Sequence, residues 1–536
     1  MPDQTPNRLD VIIVGAGLAG LRALYTLRKE NLNCLVLEAS DEIGGVWNYN
    51  RYPGARCDVE SYDYSYSFSE ELEQEWRWTE RYAKQPEILD YIRHVANRFD
   101  LRKDIAFNAK LASADYDEKQ QQWSIITHQG TTYTTQFLIM AVGQLSKPKK
   151  PNIAGEDSFK GEIYHSALWP RDLVDFANKR VGIIGTGSSG VQMTPIIAEQ
   201  ANHLCVFQRT ANYSIPACHD NLSDEEDAAV KANYHIRREQ MRNSPSGLGF
   251  VPNKKSALDD SPEVREQVFE QAWNRLGYGF ALAYKDILLN EAANDTAVDF
   301  AHRKIAEKVN NPSVREKLTP QGFPFAAMRP AVDHLYYESF NRENVELVDI
   351  KEDPIVEITA AGIRTQSRDY ALDIIIFATG FDVFTGSLLA PTITGRAGVT
   401  LKEKWKDGPK NYLGLSTKGF PNMFIMVGPG SPSLLSNVMV SMEEHADFIR
   451  DLLGDMRDKG YTEVEAEPKA EEYWVEHVNE RSKETLYPKA KSYYMGAEVL
   501  GKPQVFMPYS GGVRGYRRIL NRVHSENWDG FVMKKP

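Results

Sequence analysis

Apolar residues along the chain gather into short runs that stop at glycines, and two of these runs repeat one design. Leu9 to Val14 is an apolar run of strand length, followed by Gly15, Gly17 and Gly20 at G-x-G-x-x-G spacing. Leu21, Leu24 and Leu27 then recur at helical spacing, and the next apolar run, Cys34 to Leu37, ends on Glu38. The pattern predicts strand, tight turn, helix and strand, with the glycines letting a pyrophosphate approach the backbone at a helix N-terminus. An acid at the tip of the second strand, here Glu38, accepts hydrogen bonds from both ribose hydroxyls of an adenosine. The device returns at Val181, where V-G-I-I-G-T-G-S-S-G places Gly185, Gly187 and Gly190 around Thr186, Ser188 and Ser189. Its following strand, Leu204 to Phe207, ends in Gln208, Arg209 and Thr210 with no acid. A cation there suits a ribose 2′-phosphate, and a solvated surface arginine is the other reading. The two units predict two dinucleotides, FAD or NAD at the first and NADPH at the second.

Between and beyond these units the patterning is less regular. Gly44 to Asp58 carries three glycines and a proline and reads as loop. Tyr62, Tyr64 and Tyr66 alternate, as one face of a strand would. Gln85 to Phe99 reads as an amphipathic helix with Ile88, Ile92 and Val95 on one side. Ile105 to Ala114, Trp123 to Thr127 and Thr131 to Thr135 suggest a β-meander, and Phe137 to Val142 a separate buried strand ending at Gly143. Lys147 to Pro151 reads as a hinge. Asp220 to Asn311 is rich in Glu, Gln, Ala and Arg and reads as a helical insertion, with Pro245 to Gly249 a candidate mobile loop inside it. Gly322 to Asp333 is irregular. Val345 to Ile350, Ala371 to Phe377 and Asn422 to Gly428 read as strands, and Ser441 to Leu453 as a helix. The tail, with Trp474, Tyr493, Tyr494 and Ser510-Gly511-Gly512, is expected to return to the first lobe.

The expected fold class is α/β, with two Rossmann-like dinucleotide-binding domains and a helical insertion in the second. The expected division is 1–148 and 379–536 for the FAD domain, 149–216 and 322–378 for the NADPH domain, and 217–321 for the insertion. A chain of 536 residues exceeds what one core usually serves. A net charge of −11 argues against a nucleic-acid partner, because phosphate binding needs a basic face. The four cysteines, Cys34, Cys57, Cys205 and Cys218, form no C-x-x-C or C-x-x-x-x-C pair, so neither a zinc knuckle nor a redox-active dithiol is signalled and no metal is expected. The polar N-terminus lacks a signal-peptide core, and Val11 to Leu21 is too short to span a bilayer, so a cytoplasmic protein with no membrane partner is expected.

Two longer patterns carry chemistry. F-K-G-E-I-Y-H-S-A-L-W-P (Phe159 to Pro170) fits F-x-G-x-x-x-H-x-x-x-W-P, and Gly44 to Asp58 fits G-G-x-W-x-x-x-x-Y-P-G-x-x-x-D. Both resemble the signatures of type I Baeyer–Villiger monooxygenases, and the resemblance spans nearly the whole chain. It implies FAD, NADPH and O₂, and conversion of a ketone to an ester or lactone through a C4a-peroxyflavin. Such chemistry needs a fixed cation beside the developing oxyanion and a site dry enough to prevent peroxide loss. By resemblance that cation is Arg329 in M-R-P, oriented by Asp58. Gly45, Val46, Trp47 and Tyr64 match flavin-contacting positions, and Arg56 a residue near the nicotinamide. Gln144, Leu145, Leu434, Leu435 and Ser436 match the substrate pocket. His165 is expected to position the linker between lobes, because the chemistry requires no base there. Met328 stands where many relatives have a lysine that helps hold the 2′-phosphate. Tyr493 and Glu498 replace the tryptophan and asparagine of a tail segment that contacts the nicotinamide-ribose side.

Two rival readings stay open on sequence: a sulfur- or nitrogen-oxygenating flavin monooxygenase, and an NADPH oxidase that releases hydrogen peroxide and oxygenates nothing. A thioether and a ketone assayed side by side, with peroxide measured, separate the three. The identity and size of the ketone and the oligomeric state, monomer or dimer, are not legible.

Overall fold

In the computed structural model, residues 8–217, 221–250, 253–275 and 277–536 are described. The extreme N-terminus and Cys218, on which two of the sequence expectations bear, lie outside them. The first apolar run forms β1 (Arg8–Val14), which pairs in parallel with β2 (Cys34–Leu37). β2 in turn pairs with β3 (Ile105–Ala106). β4 (Leu111–Asp117), β5 (Gln122–Thr127) and β6 (Thr132–Met140) form the meander, and β6 closes it by running parallel to β1. Two strands from far along the chain complete this eight-stranded sheet: Thr392–Thr394 beside β4 and Met423–Ile425 beside β6. The helix Leu18–Lys29 packs on it together with Val438–Lys459. The tail joins the same core, since Trp474, Tyr494, Tyr509 and Tyr516 cluster with Val11, Ile13 and Leu24.

The second sheet is all parallel. β7 (Glu162–His165), β8 (Arg180–Ile184) and β9 (His203–Gln208) join Val345–Asp349 and Ile374–Phe377, with β8 and Ile374–Phe377 at its centre. The three inner strands, β8, β9 and Ile374–Phe377, are buried on both faces, whereas the edge strands β7 and Val345–Asp349 are partly exposed. The insertion carries helices Asp224–Ala232, Tyr234–Asn243, Pro262–Trp273, Glu291–Lys308 and Pro312–Leu318. Ser223 and Glu226 form a capping box at the first of these, and Ser261, Asn290 and Asn311 cap the last three. Phe269, Trp273, Phe280, Phe300 and Phe325 give the insertion an aromatic core of its own. Among the described residues no helix is long and apolar enough to cross a membrane.

Several elements differ from expectation. Thr131 to Thr135 and Phe137 to Val142 are one strand, β6, because its first half pairs with β5 while its second half pairs with β1. Ile105 to Ala114 is broken by Asn108 at φ 54°, so its start joins β2 and only its end joins the meander. The loop Gly44 to Asp58 contains a helical turn, Val46–Tyr49, started by Gly44 and Gly45 in the left-handed region. Tyr62, Tyr64 and Tyr66 lie in irregular backbone, not on a strand, and are buried. Tyr62 donates to Asp227, Tyr64 accepts from the Trp47 indole, and Tyr66 donates to the Leu18 carbonyl. Ala371 ends a separate antiparallel strand, Asp369–Ala371, since Asp373 turns to pair with Arg180 before the sheet resumes. The strand expected at Asn422 to Gly428 shrinks to Met423–Ile425 between Asn422 and Val427, both at positive φ. Conversely, the helix expected at Ser441 to Leu453 runs from the Asn437 cap to Gly460. Pro245 to Gly249 is tied down: Asn437 N–H donates to Ser246, and Gly249 N–H to Asp63.

Candidate active site

Each glycine turn is built the same way. An added Cβ at Gly15 would stand 2.6 Å from the Ala141 carbonyl oxygen, and one at Gly20 would stand 1.8 Å from that of Gly15. In the second unit Gly185 meets Ala378 at 2.5 Å and Gly190 meets Gly185 at 2.1 Å. The third glycine therefore lets the helix seat on the turn, and the first lets the turn seat on the closing strand. Both helices begin on a glycine with no acid in the first turn, which leaves their N-terminal N–H groups open to an anion.

A cavity of about 1470 Å³ joins the two turns. Gly15, Gly17, Glu38, Gly45, Val46 and Trp47 line its first end. Glu38 sits across the first turn, accepting from Ala16 N–H at 2.7 Å and Ser40 N–H at 2.8 Å, and burial pushes its carboxyl up from the usual range. Gly185, Thr186, Gly187, Ser188, Ser189 and Arg209 line the other end. Thr186 ties turn to strand tip by donating to the Thr210 carbonyl at 3.2 Å.

Arg329 and Asp58 meet between the two ends. Although 271 residues apart, they join through Arg329 Nε and Asp58 Oδ2 at 2.7 Å. Arg329 Nη1 also donates to the Leu434 carbonyl at 2.7 Å, and Asn212 Nδ2 holds the Arg329 carbonyl at 2.8 Å. Burial opposes the charge, yet Asp58 and the surrounding tyrosines keep the guanidinium well above its ordinary pKa. Arg56, Tyr64, Gln144, Leu145, Leu434, Ser436 and Tyr493 complete the walls. Trp47 stands edge-on to Tyr64, with ring centroids 5.8 Å apart. Gln144 donates to Val427 O, and its Oε1 is buried without a partner among the described residues.

Four of the expected site residues do not line the cavity. Gly20 and Gly190 act beneath the turns, as the steric distances require. Gln208 is buried and donates to the Lys317 carbonyl at 2.7 Å, so its side chain braces the insertion. Leu435 packs into the core beside the site. Other residues were missed. Lys149 lines the cavity near Arg209, where burial and that arginine lower its pKa, and its ammonium donates to the Glu498 carbonyl. Its Lys-Pro surroundings read as a hinge because nothing periodic there signals a direction. His165 explains its own motif: Nδ1 accepts from Ala167 N–H at 3.1 Å, so Nε2 carries the proton and faces the Lys149 carbonyl at 3.2 Å. Thr379 donates to the same carbonyl at 2.6 Å. The histidine thus fixes the linker backbone, and burial lowers its pKa, which keeps it neutral.

A family profile described as pyridine nucleotide-disulphide oxidoreductase matches residues 12–235. Among the described residues Cys34, Cys57 and Cys205 are free and buried. A Baeyer–Villiger monooxygenase of Pseudooceanicola batsensis is 43% identical over 98% of this chain and 96% of its own length. The chain belongs to the Baeyer–Villiger monooxygenase family. Phenazine N-monooxygenase PhzNO1 of Lysobacter antibioticus is also similar, at 39% identity over 99% of this chain and 98% of its own. Among solved structures, an oxidized steroid monooxygenase bound to NADP superimposes with a TM-score of 0.96 and 48% identity, covering 99% of this chain and 100% of that one.

Proposed function

We propose that this enzyme, using FAD and NADPH, inserts one oxygen atom of O₂ beside a ketone carbonyl to give an ester or a lactone. The observation that carries the reading is the Arg329–Asp58 pair placed midway along one cavity that joins both glycine turns. The turns fit dinucleotides, since their glycines let strand, turn and helix pack closely, the cavity-lining Gly187 meets nothing within 4 Å, and their helix N-termini carry no acid. We assign FAD to the first turn with Glu38, Trp47 and Tyr64, and NADPH to the second with Arg209. The division 1–148 with 379–536, and 149–216 with 322–378 around the insertion 217–321, follows that assignment. Lys149 adds a second cation near Arg209, which offsets the apolar Met328 in holding a 2′-phosphate. Bound FAD supplies the redox chemistry, accepting hydride from NADPH and activating O₂.

The chain's own residues supply place and charge. Arg329 keeps a full positive charge whatever the local dielectric and offers N–H donors to negative charge growing on the ketone oxygen. Asp58 holds the guanidinium at Nε, so the charge does not need to reorganise during reaction. Gln144, Leu145, Leu434 and Ser436 shape the space for a ketone and exclude water. The free, buried thiols support a cytoplasmic location.

The likeness to a phenazine N-oxygenating enzyme favours nitrogen oxygenation as the second reading. Purified enzyme given NADPH with a cyclic ketone, a linear ketone, a thioether and an aromatic N-heterocycle, with product and peroxide both measured, decides between them. Ester or lactone as the main product supports the ketone reading. N-oxide or sulfoxide from every positive substrate, with no ester, overturns it.

A further inference from the structure

The face of the Arg329 guanidinium is covered by a ring from the insertion. Tyr278 lies in the turn Gly277–Leu282, and Arg329 Cζ stands 4.4 Å from its ring centroid. Tyr278 is 6% exposed and is no part of the cavity wall, so it meets the arginine from behind rather than meeting substrate. A guanidinium has five N–H donors in one plane. Here Asp58 and the Leu434 carbonyl take one each, leaving three for whatever enters the cavity.

Tyr278 is itself held. Its side chain neighbours that of Tyr487, whose ring stands 5.4 Å from that of Tyr494. Tyr494 donates to the Leu434 carbonyl at 3.4 Å, the same oxygen that accepts from Arg329. The contacts close a ring: Arg329, Tyr278, Tyr487, Tyr494, Leu434 and back to Arg329. It unites the insertion, the tail and the Leu434 loop around one cation.

We propose that Tyr278 is a positioning residue whose ring face, by cation–π attraction, holds the Arg329 guanidinium against Asp58 and sets where the site's fixed positive charge sits. The negative face of an aromatic ring attracts a cation most strongly where water is excluded, as it is here. An aliphatic residue of similar volume would fill the space without that attraction and leave the guanidinium free to swing away from Asp58. This proposal rests on the functional reading above for its activity test and on geometry alone for its structural one.

The test uses the holoenzyme with Tyr278→Phe, with Tyr278→Leu, and with phenylalanines of increasing fluorination placed at 278. Fluorine drains the ring face of negative charge while keeping its shape. Tyr278→Phe is expected to keep the ester formed per NADPH within about twofold, because the ring face over the guanidinium is retained. Tyr278→Leu and the fully fluorinated ring are expected to lower that ratio about tenfold, with ketone KM and flavin reduction unchanged. Crystal structures of those two variants are expected to show Arg329 Nε out of hydrogen-bond reach of Asp58. A fully fluorinated ring that performs like phenylalanine, or a leucine variant altered only in ketone KM, would overturn the proposal. Should the leucine variant not fold, the fluorinated series decides alone. Should the wild-type enzyme make no ester, the functional reading fails, and the Arg329–Asp58 distance in the variants still judges this one.

Discussion

Arg329 illustrates how a single side chain can be both buried and permanently charged. Its Nε is paired with Asp58 in a part-buried contact, and a hydrogen bond to a charged group contributes about 1.5–3 kcal/mol. Asp58→Ala is therefore expected to lower stability by about 1.5–3 kcal/mol in denaturant titration. Arg329→Ala is expected to leave reduction of bound flavin by NADPH largely intact and to abolish ester formation; a normal ester yield would remove its role. Arg209 lines the far end of the cavity and forms no ion pair among the described residues, so Arg209→Ala is expected to raise the KM for NADPH more than that for NADH. An equal effect on both would withdraw the 2′-phosphate assignment. Arg329 and Asp58 were singled out by the family resemblance alone, since on spacing an arginine in M-R-P reads as a surface residue and an aspartate ending a loop as a cap. Tyr278 and Lys149 were not, since their importance comes from what they meet in space and no spacing in the chain announces it.

The glycine turns carry the account at the level of elements. Gly20→Ala and Gly190→Ala each put a methyl about 2 Å from a backbone carbonyl oxygen in the same turn, which the backbone must shift to relieve. Gly20→Ala is expected to yield colourless protein without FAD. Gly190→Ala is expected to stay yellow while its KM for NADPH rises at least about tenfold. The reverse pairing of losses would exchange the two cofactor sites. These elements were readable from sequence because strand, glycine spacing and helix all fall within one short segment. The failures were at places where pairing, not pattern, decides. β6 looked like two strands because Gln136 interrupts its apolar run, though its ladder to β1 continues past that point. The alternating tyrosines 62, 64 and 66 imitated a strand, but each is turned by its own hydroxyl partner.

Over the whole molecule, the first sheet is assembled from both ends of the chain, and the buried His445 sits where they meet. Its Nδ1 accepts from Val427 N–H at 2.9 Å, and its Nε2 donates to Tyr516 at 2.8 Å. Full burial lowers its pKa from 6.5 to about 3. The fold excludes a proton that the unfolded chain binds below pH 6.5, so this contribution is complete above 6.5 and is lost as pH falls toward 3. The slope is about 1.4 kcal/mol per pH unit across that window. Melting temperatures at pH 7.5 and 5.5 are expected to fall less for His445→Asn than for the wild type; parallel falls would deny the histidine this part. Val427, held by His445, is at φ 54° and receives the Gln144 side chain at the cavity wall, so the same buried contact reaches the active site.

The most direct measurement of the central claim is a single turnover of the FAD-loaded enzyme with NADPH and a ketone under ¹⁸O₂, followed by mass spectrometry of the product. One ¹⁸O atom in each ester or lactone, in an amount close to the NADPH oxidised, is the predicted result. Recovery of unchanged ketone, with the NADPH accounted for by labelled hydrogen peroxide, would contradict it.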